Sequence, residues 1–162
     1  MIGYVCKYTP VEVFEAMGVE ITRIQPEVTN FNQADTLMHP NICSFTKSVL
    51  EDVLAGDYEG VVLTTCCDSI RRLYDVLKQQ CPDKFLYLLD VPRKVNDFST
   101  DMYRENILDM VHAYEAFSGK TFDEIVLKQL LERREAGQNL RTAPKNKASV
   151  HIGLMGARCS KG

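Results

Sequence analysis

Cysteines at two points of the sequence have the chemistry of metal ligands. Cys66 and Cys67 are followed by Asp68 in the stretch TTCCDS, where an apolar run changes into a helical pattern. Cys43 stands just before Ser44, at the start of another helical pattern in HPNICSFTKSVL. A thiol at a helix start lies near the positive end of the helix dipole, which favours the metal-binding thiolate. This shared position marks Cys43 and Cys67 as candidate ligands.

The cysteines also allow other interpretations. A free cysteine is often a small buried side chain, and this is how we interpret Cys6 in a strand and Cys81 at a helix end. The zinc-ribbon and ferredoxin spacings are absent because no C-x-x-C pair is present. A zinc site that includes His39, or a nucleophilic cysteine with His112 as its base, has little support from the spacing. If the strand alternation continues, Cys66 and Cys67 point to opposite faces, so at most one of the two thiols faces the crevice.

Length and composition exclude several classes of protein. The 162 residues, of which 45% are hydrophobic, suffice for one ordinary core. A net charge of -3 gives no basic field for nucleic acid or an anionic membrane. The chain has no long apolar run and no signal-peptide pattern, so we expect a cytoplasmic protein that does not span a membrane. In that setting its cysteines are expected to be free thiols or ligands, not disulfides.

Alternating apolar runs and helical patterns predict the elements that position these residues. The predicted fold is α/β, a mostly parallel sheet with flanking helices of the Rossmann or flavodoxin-like kind. An additional helical pair is expected near residues 99–141, with Gly119 ending its first helix and a capping box of Thr121 and Glu124 starting its second. Strands are predicted at 2–5, 19–24, 60–65, 84–91 and 149–155.

The carboxyl ends of the predicted strands are where a ligand should bind. Asp68 or Ser69 is expected to cap the helix after the strand at 60–65, as Ser44 is expected to cap the earlier helix. The next strand ends in LLDVPRK, which includes Arg93 and Lys94. That spacing is compatible with a site for the phosphates of a coenzyme and equally with a solvated turn.

Three segments together, CSFTKSVL (43–50), GVVLTTCCDSIRRLYDVLK (60–78) and LLDVPRK (88–94), resemble the D-component family of 2-hydroxyacyl-CoA dehydratases. This family includes benzoyl-CoA reductase subunits and double-cubane cluster proteins. The resemblance implies an oxygen-sensitive 4Fe-4S cluster, with Cys43 and Cys67 as two of its three cysteine ligands. It places Cys66 and Asp68 beside the ligands, and Arg93 and Lys94 as possible coenzyme A contacts. The third ligand lies outside the matched region, and Cys159 is not an evident substitute.

The resemblance also implies a reaction and its partners. The dehydratases of this family remove water from an (R)-2-hydroxyacyl-CoA thioester by one-electron, ketyl-radical chemistry, with the electron delivered by an ATP-hydrolysing activator. The second partner is a paralogous subunit or a homodimer partner. A longer protein is implied, in which residues 1–147 form an N-terminal α/β domain with a helical extension and 148–162 the first strand of a second domain. Two alternatives stay open: a double-cubane-type electron-transfer reductase with a non-CoA substrate, and an α/β module with inert cysteines.

Overall fold

A four-stranded parallel sheet forms the centre of the structure, a computed structural model that describes residues 1–28 and 30–139, with the backbone alone for 137–139. Each neighbouring pair of strands is parallel, in the order β2-β1-β3-β4. This is the strand order of flavodoxin-like sheets. The predicted α/β fold is therefore confirmed, while the strand expected at 149–155 lies outside the described residues. The strands are β1 (Ile2–Tyr4), β2 (Ile21–Arg23), β3 (Gly60–Thr64) and β4 (Phe85–Leu89).

Helices connect the strands and cover both faces of the sheet. The short second helix was not predicted, because it has only six residues, and the Ala34 and Leu37 that it packs into the core are too few to show a helical period in the sequence. The last two helices follow one another without a strand, as predicted. Over the described part of the chain, no helix is both long enough and apolar enough to cross a bilayer. The helices are α1 (Val11–Ala16), α2 (Asn32–Leu37), α3 (Ser44–Ala55), α4 (Asp68–Gln80), α5 (Asp97–Ser118) and α6 (Glu124–Asn139).

The central strand β3 separates two hydrophobic clusters. All five of its residues are buried, because helices cover both sides of the strand. Val61 and Leu63 pack with α3 and α4, whereas Val62 packs on the opposite face with Phe14 and Tyr114. Successive side chains of a strand point to opposite faces, so β3 contributes to both clusters. The residues that follow β3 consequently start from a firmly held position.

The start of α6 corrects one prediction. The helix begins at Glu124, and Oδ1 of the preceding Asp123 accepts a hydrogen bond from the Ile125 amide at 2.8 Å. The capping box predicted from Thr121 and Glu124 is therefore wrong. An aspartate directly before the helix already satisfies one of the free amides of the first turn, and Thr121 lies too early to do so.

The ends of α5 are both defined by their caps. The Ser99 amide donates to Asn96 Oδ1 at 2.8 Å, and the Asn96 amide donates to Ser99 Oγ at 3.0 Å. This reciprocal pair is a capping box that the sequence analysis did not find. The predicted end at Gly119 is confirmed. Its φ of 70° lies in the left-handed region, where glycine is the favoured residue.

Candidate functional site

The topological switch point of the sheet lies between β1 and β3. The chain continues from β1 to β2 on one side and from β3 to β4 on the other. In open parallel sheets, ligands bind outside the carboxyl ends of the strands at such a switch. Cys6 comes two residues after β1, and Cys66 and Cys67 come directly after β3 and the residue Thr65. Thiols therefore stand on both sides of the switch point.

Cys66 and Cys67 are both exposed. β3 ends at Thr64, and a turn over Thr65 and Cys66 leads to the next helix. The expectation that strand alternation would point one cysteine away does not hold, because the strand has already ended. Both thiols are accessible from solvent at the carboxyl edge of the sheet.

Cys67 occupies the N-cap position of α4. The helix begins at Asp68, and the Arg71 amide donates to the Cys67 carbonyl oxygen at 3.3 Å, which is the first bond of the helix. The cap expected at Asp68 or Ser69 is thus one or two residues too late. Asp68 is an exposed residue of the first turn, where a carboxylate complements the helix dipole. The candidate ligand Cys67 is therefore the residue immediately before the first residue of α4.

Cys43 occupies the same position in α3. The helix begins at Ser44, so the predicted cap at Ser44 is also one residue too late. The Lys47 amide donates to the Cys43 carbonyl oxygen at 3.2 Å. Cys43 Sγ lies 3.1 Å from Oγ1 of the buried Thr46, and the two groups share a hydrogen bond. Cys43 and Cys67 are therefore structurally equivalent residues of two helices that pack against each other.

Two neighbouring thiols influence Cys66 at the switch point. Partial burial raises the pKa of the Cys66 thiol, while the Thr64 hydroxyl beside it lowers that pKa. The neighbouring Cys67 and Cys6 thiols raise it further. Cys6 was expected within a strand as an inert side chain, but it lies beyond the end of β1 and within electrostatic reach of Cys66. Sequence reasoning missed this because the strand order that places β1 beside β3 is not visible in a single sequence.

Basic side chains follow the neighbouring strand β4. Arg93 and Lys94 lie in the exposed loop between β4 and α5. Neither forms an ion pair with any residue in the described ranges. Cys81, expected to be an inert side chain, is the half-buried C-cap of α4, and His39, whose place in a zinc site has little support from the spacing, is an exposed residue whose Nδ1 accepts from the Asn41 amide at 3.2 Å.

The described thiols fit a metal group only as part of its ligand set. Within residues 1–28 and 30–139, no three His, Cys, Asp or Glu side chains are grouped so that they could hold a metal ion. Thiolates are nevertheless the donors that iron–sulfur clusters use, and Cys43 and Cys67 are exposed. These two residues can supply ligands to a cluster that other groups complete.

Comparison with known proteins identifies the family to which this chain belongs. The profile of the family described as 2-hydroxyglutaryl-CoA dehydratase, D-component, matches residues 6–148. The match covers most of the chain, so the chain belongs to this family, as the sequence resemblance indicated.

A particular relative is the (R)-phenyllactyl-CoA dehydratase beta subunit of Clostridium sporogenes. It is 27% identical over 139 residues, which are 81% of this chain and 36% of the relative. The chain thus spans about a third of the length of the curated relative that it matches. The division at residues 147 and 148 falls outside the described residues and stays a prediction.

Proposed function

We propose that this chain supplies two thiolate ligands, Cys43 and Cys67, to the iron–sulfur cluster of a 2-hydroxyacyl-CoA dehydratase. The observation that supports this most is the equivalence of the two cysteines. Each is exposed, and each is the N-cap of a helix that packs beside the switch point of a parallel sheet. The positive end of a helix dipole stabilises an anionic ligand, so both positions suit a thiolate.

The remaining ligands come from outside the described residues in this proposal. A 4Fe-4S cluster needs more donors than two thiolates, and no three side chains of metal-ligand type are grouped in the described part of the chain. The missing part of the ligand set belongs to a longer polypeptide or to a partner subunit. When bound, the cluster supplies the low-potential electron that removal of the hydroxyl group needs. Cys66 and Asp68 lie beside the Cys67 ligand and shape its surroundings.

The proposed substrate is an (R)-2-hydroxyacyl-CoA, from which the enzyme eliminates water. Coenzyme A carries several phosphates, and exposed guanidinium and ammonium groups bind phosphate oxygens. Arg93 and Lys94 provide such groups after β4, at the same edge of the sheet as the cysteines. The proposed partners are a second dehydratase subunit and an ATP-hydrolysing activator that delivers the electron.

An activity measurement tests this function. The dehydratase assembly that contains this chain is purified without oxygen and mixed with its activator, ATP and (R)-phenyllactyl-CoA as the probe substrate. We expect ATP-dependent formation of the unsaturated acyl-CoA, and its loss in Cys67→Ser but not in Cys81→Ser. Cys81 is the matched control because it lies at the opposite end of α4.

The alternatives predict different outcomes of the same experiment. An assembly that binds iron but dehydrates no 2-hydroxyacyl-CoA contradicts the dehydratase function and favours an electron-transfer reductase of the double-cubane type. An assembly that binds no iron favours an α/β module with inert cysteines. Retention of full activity in Cys67→Ser contradicts the ligand assignment.

A further inference from the structure

We infer that Thr65 and Asp90 are positioning residues that hold the turn carrying Cys66 and Cys67. The importance of this positioning for a cluster rests on the function proposed above, whereas the positioning itself is a property of the chain. The inference comes from a hydrogen-bonded junction between the carboxyl ends of β3 and β4. On one side of the junction the chain continues into the turn that carries Cys66 and Cys67, and on the other side it continues into the loop that carries Arg93 and Lys94.

The hydroxyl and the amide of Thr65 both form hydrogen bonds with the last residue of β4 or the two residues that follow it. Its hydroxyl donates to Asp90 Oδ1 and accepts from the Val91 amide at 3.2 Å. Its own amide donates to the Leu89 carbonyl oxygen at 3.0 Å. The side chain is 8% exposed, so water does not readily replace these partners. The residue immediately before Cys66 is consequently bound to β4 through both its backbone and its side chain.

Asp90 extends the junction to a third element. Its carboxylate accepts from Thr65, and its carbonyl oxygen accepts from Asn106 Nδ2 of α5 at 3.3 Å. Val91, the next residue, packs into the hydrophobic cluster that includes α5. β3, β4 and α5 are therefore joined at the point where the chain reaches the cysteines.

The hydroxyl, and not the volume, of Thr65 carries this role. Valine has nearly the same shape but neither donates nor accepts, whereas serine retains the hydroxyl. A side chain that only filled space would tolerate valine better than serine. A residue that positions the thiols through its hydroxyl tolerates serine better than valine, because the buried, hydrogen-bonded hydroxyl fixes the direction in which the turn leaves β3.

The test measures the reactivity of single thiols in the reduced, cluster-free chain. Iodoacetamide alkylation rates of Cys66 and Cys67 are followed by peptide mass spectrometry and divided by the rate of Cys43 in the same sample. Because both thiols are already exposed, their rates report the direction and surroundings of the turn, and we expect Thr65→Val to change both ratios, upward or downward, by about twofold or more, up to the tenfold factor of one typical hydrogen bond. Thr65→Ser should stay within about 1.5-fold of the unaltered chain.

Further variants separate positioning from general destabilisation. Thr9→Val is the matched control: Thr9 is 4% exposed and lies at the same edge, but in the described structure its hydroxyl has no hydrogen-bond partner. Its ratios should not change. Asp90 is exposed, so Asp90→Ala should fold, and it should reproduce the effect of Thr65→Val, whereas Asp90→Asn keeps an acceptor and should not.

Two results would overturn the inference. One is an unchanged ratio in both Thr65→Val and Asp90→Ala, whatever happens to the thermal midpoint. The other is an equal change of both ratios in Thr65→Ser. Since no iron is present in this assay, its outcome is independent of the proposed function. If the alkylation rates respond as expected but the chain never binds iron, the proposed cluster ligation is refuted and the positioning role still stands.

Discussion

Replacing Glu51 by alanine tests what holds α2 against the helix that starts at Cys43. Glu51 is 9% exposed within α3, and its Oε1 accepts hydrogen bonds from the backbone amides of Gln33 at 2.7 Å and Ala34 at 2.9 Å. Its Oε2 accepts from Gln33 Nε2 at 3.4 Å. A single carboxylate therefore satisfies free amides at the start of α2, which is the usual task of a capping side chain.

The expected loss in free energy of unfolding follows from these contacts. A hydrogen bond to a charged group contributes about 1.5–3 kcal/mol, and the Ala34 amide is buried and cannot turn to water in the Glu51→Ala variant. The exposed Gln33 can regain part of its hydration. We therefore expect Glu51→Ala to cost about 2–4 kcal/mol and Glu51→Gln, which keeps a neutral acceptor, about 1–2 kcal/mol.

Urea unfolding followed by circular dichroism measures these losses. The control is Glu105→Ala, an exposed glutamate of α5, which should change the free energy of unfolding by less than about 0.5 kcal/mol. Amide hydrogen exchange should also become faster at Gln33 and Ala34 in Glu51→Ala. A loss below about 1 kcal/mol with an unchanged m-value would refute the capping role.

Three further predictions concern other parts of the fold. Burial and the hydrogen bond to Asp52 raise the pKa of Tyr58 from 10.0 to about 12. The unfolded chain therefore releases this proton first, and the free energy of unfolding should fall between pH of about 10 and about 12. Tyr58→Phe should reduce that fall in urea titrations, and an undiminished fall contradicts the assignment. A Cβ at Gly60 would stand 2.4 Å from the Phe85 carbonyl oxygen, so Gly60→Ala should cost about 1–3 kcal/mol in thermal unfolding. Unchanged stability would refute this contact. Arg134 pairs with two carboxylates of α1, and Arg134→Ala should speed hydrogen exchange in α6, whereas a cost above about 1 kcal/mol is not expected for a partly exposed pair.

The sheet and its main helices follow from periodicity because their apolar residues face a core. β3 is buried along its whole length, and α4 turns Ile70, Leu73 and Leu77 inward at helical spacing. The helix α2 escaped prediction because its six residues bring only Ala34 and Leu37 to the core, and the Glu51 carboxylate that caps its start comes from another helix. Local pattern therefore identifies the longer elements with a full apolar face, and it misses a short helix whose start is capped by a residue distant in the sequence.

The helix starts at the candidate site were predictable from the sequence, but the geometry of the site was not. Helix starts at Cys43 and Cys67 were located within one or two residues, which is the usual uncertainty of a helix end. The approach of Cys6 to Cys66 depends on β1 lying beside β3, and the Thr65 and Asp90 junction depends on β3 lying beside β4. Such non-local pairings are set by the packing of the whole sheet.

The iron content of single-cysteine variants tests the central claim most directly. The assembly that contains this chain is purified without oxygen as the unaltered protein and as Cys43→Ser, Cys67→Ser and Cys81→Ser, and iron and acid-labile sulfide are measured per chain. We predict that Cys43→Ser and Cys67→Ser each lose most of the iron and sulfide of this chain's cluster, while Cys81→Ser keeps both. Unchanged iron and sulfide in Cys43→Ser and Cys67→Ser would contradict the assignment of these two helix-start cysteines as cluster ligands.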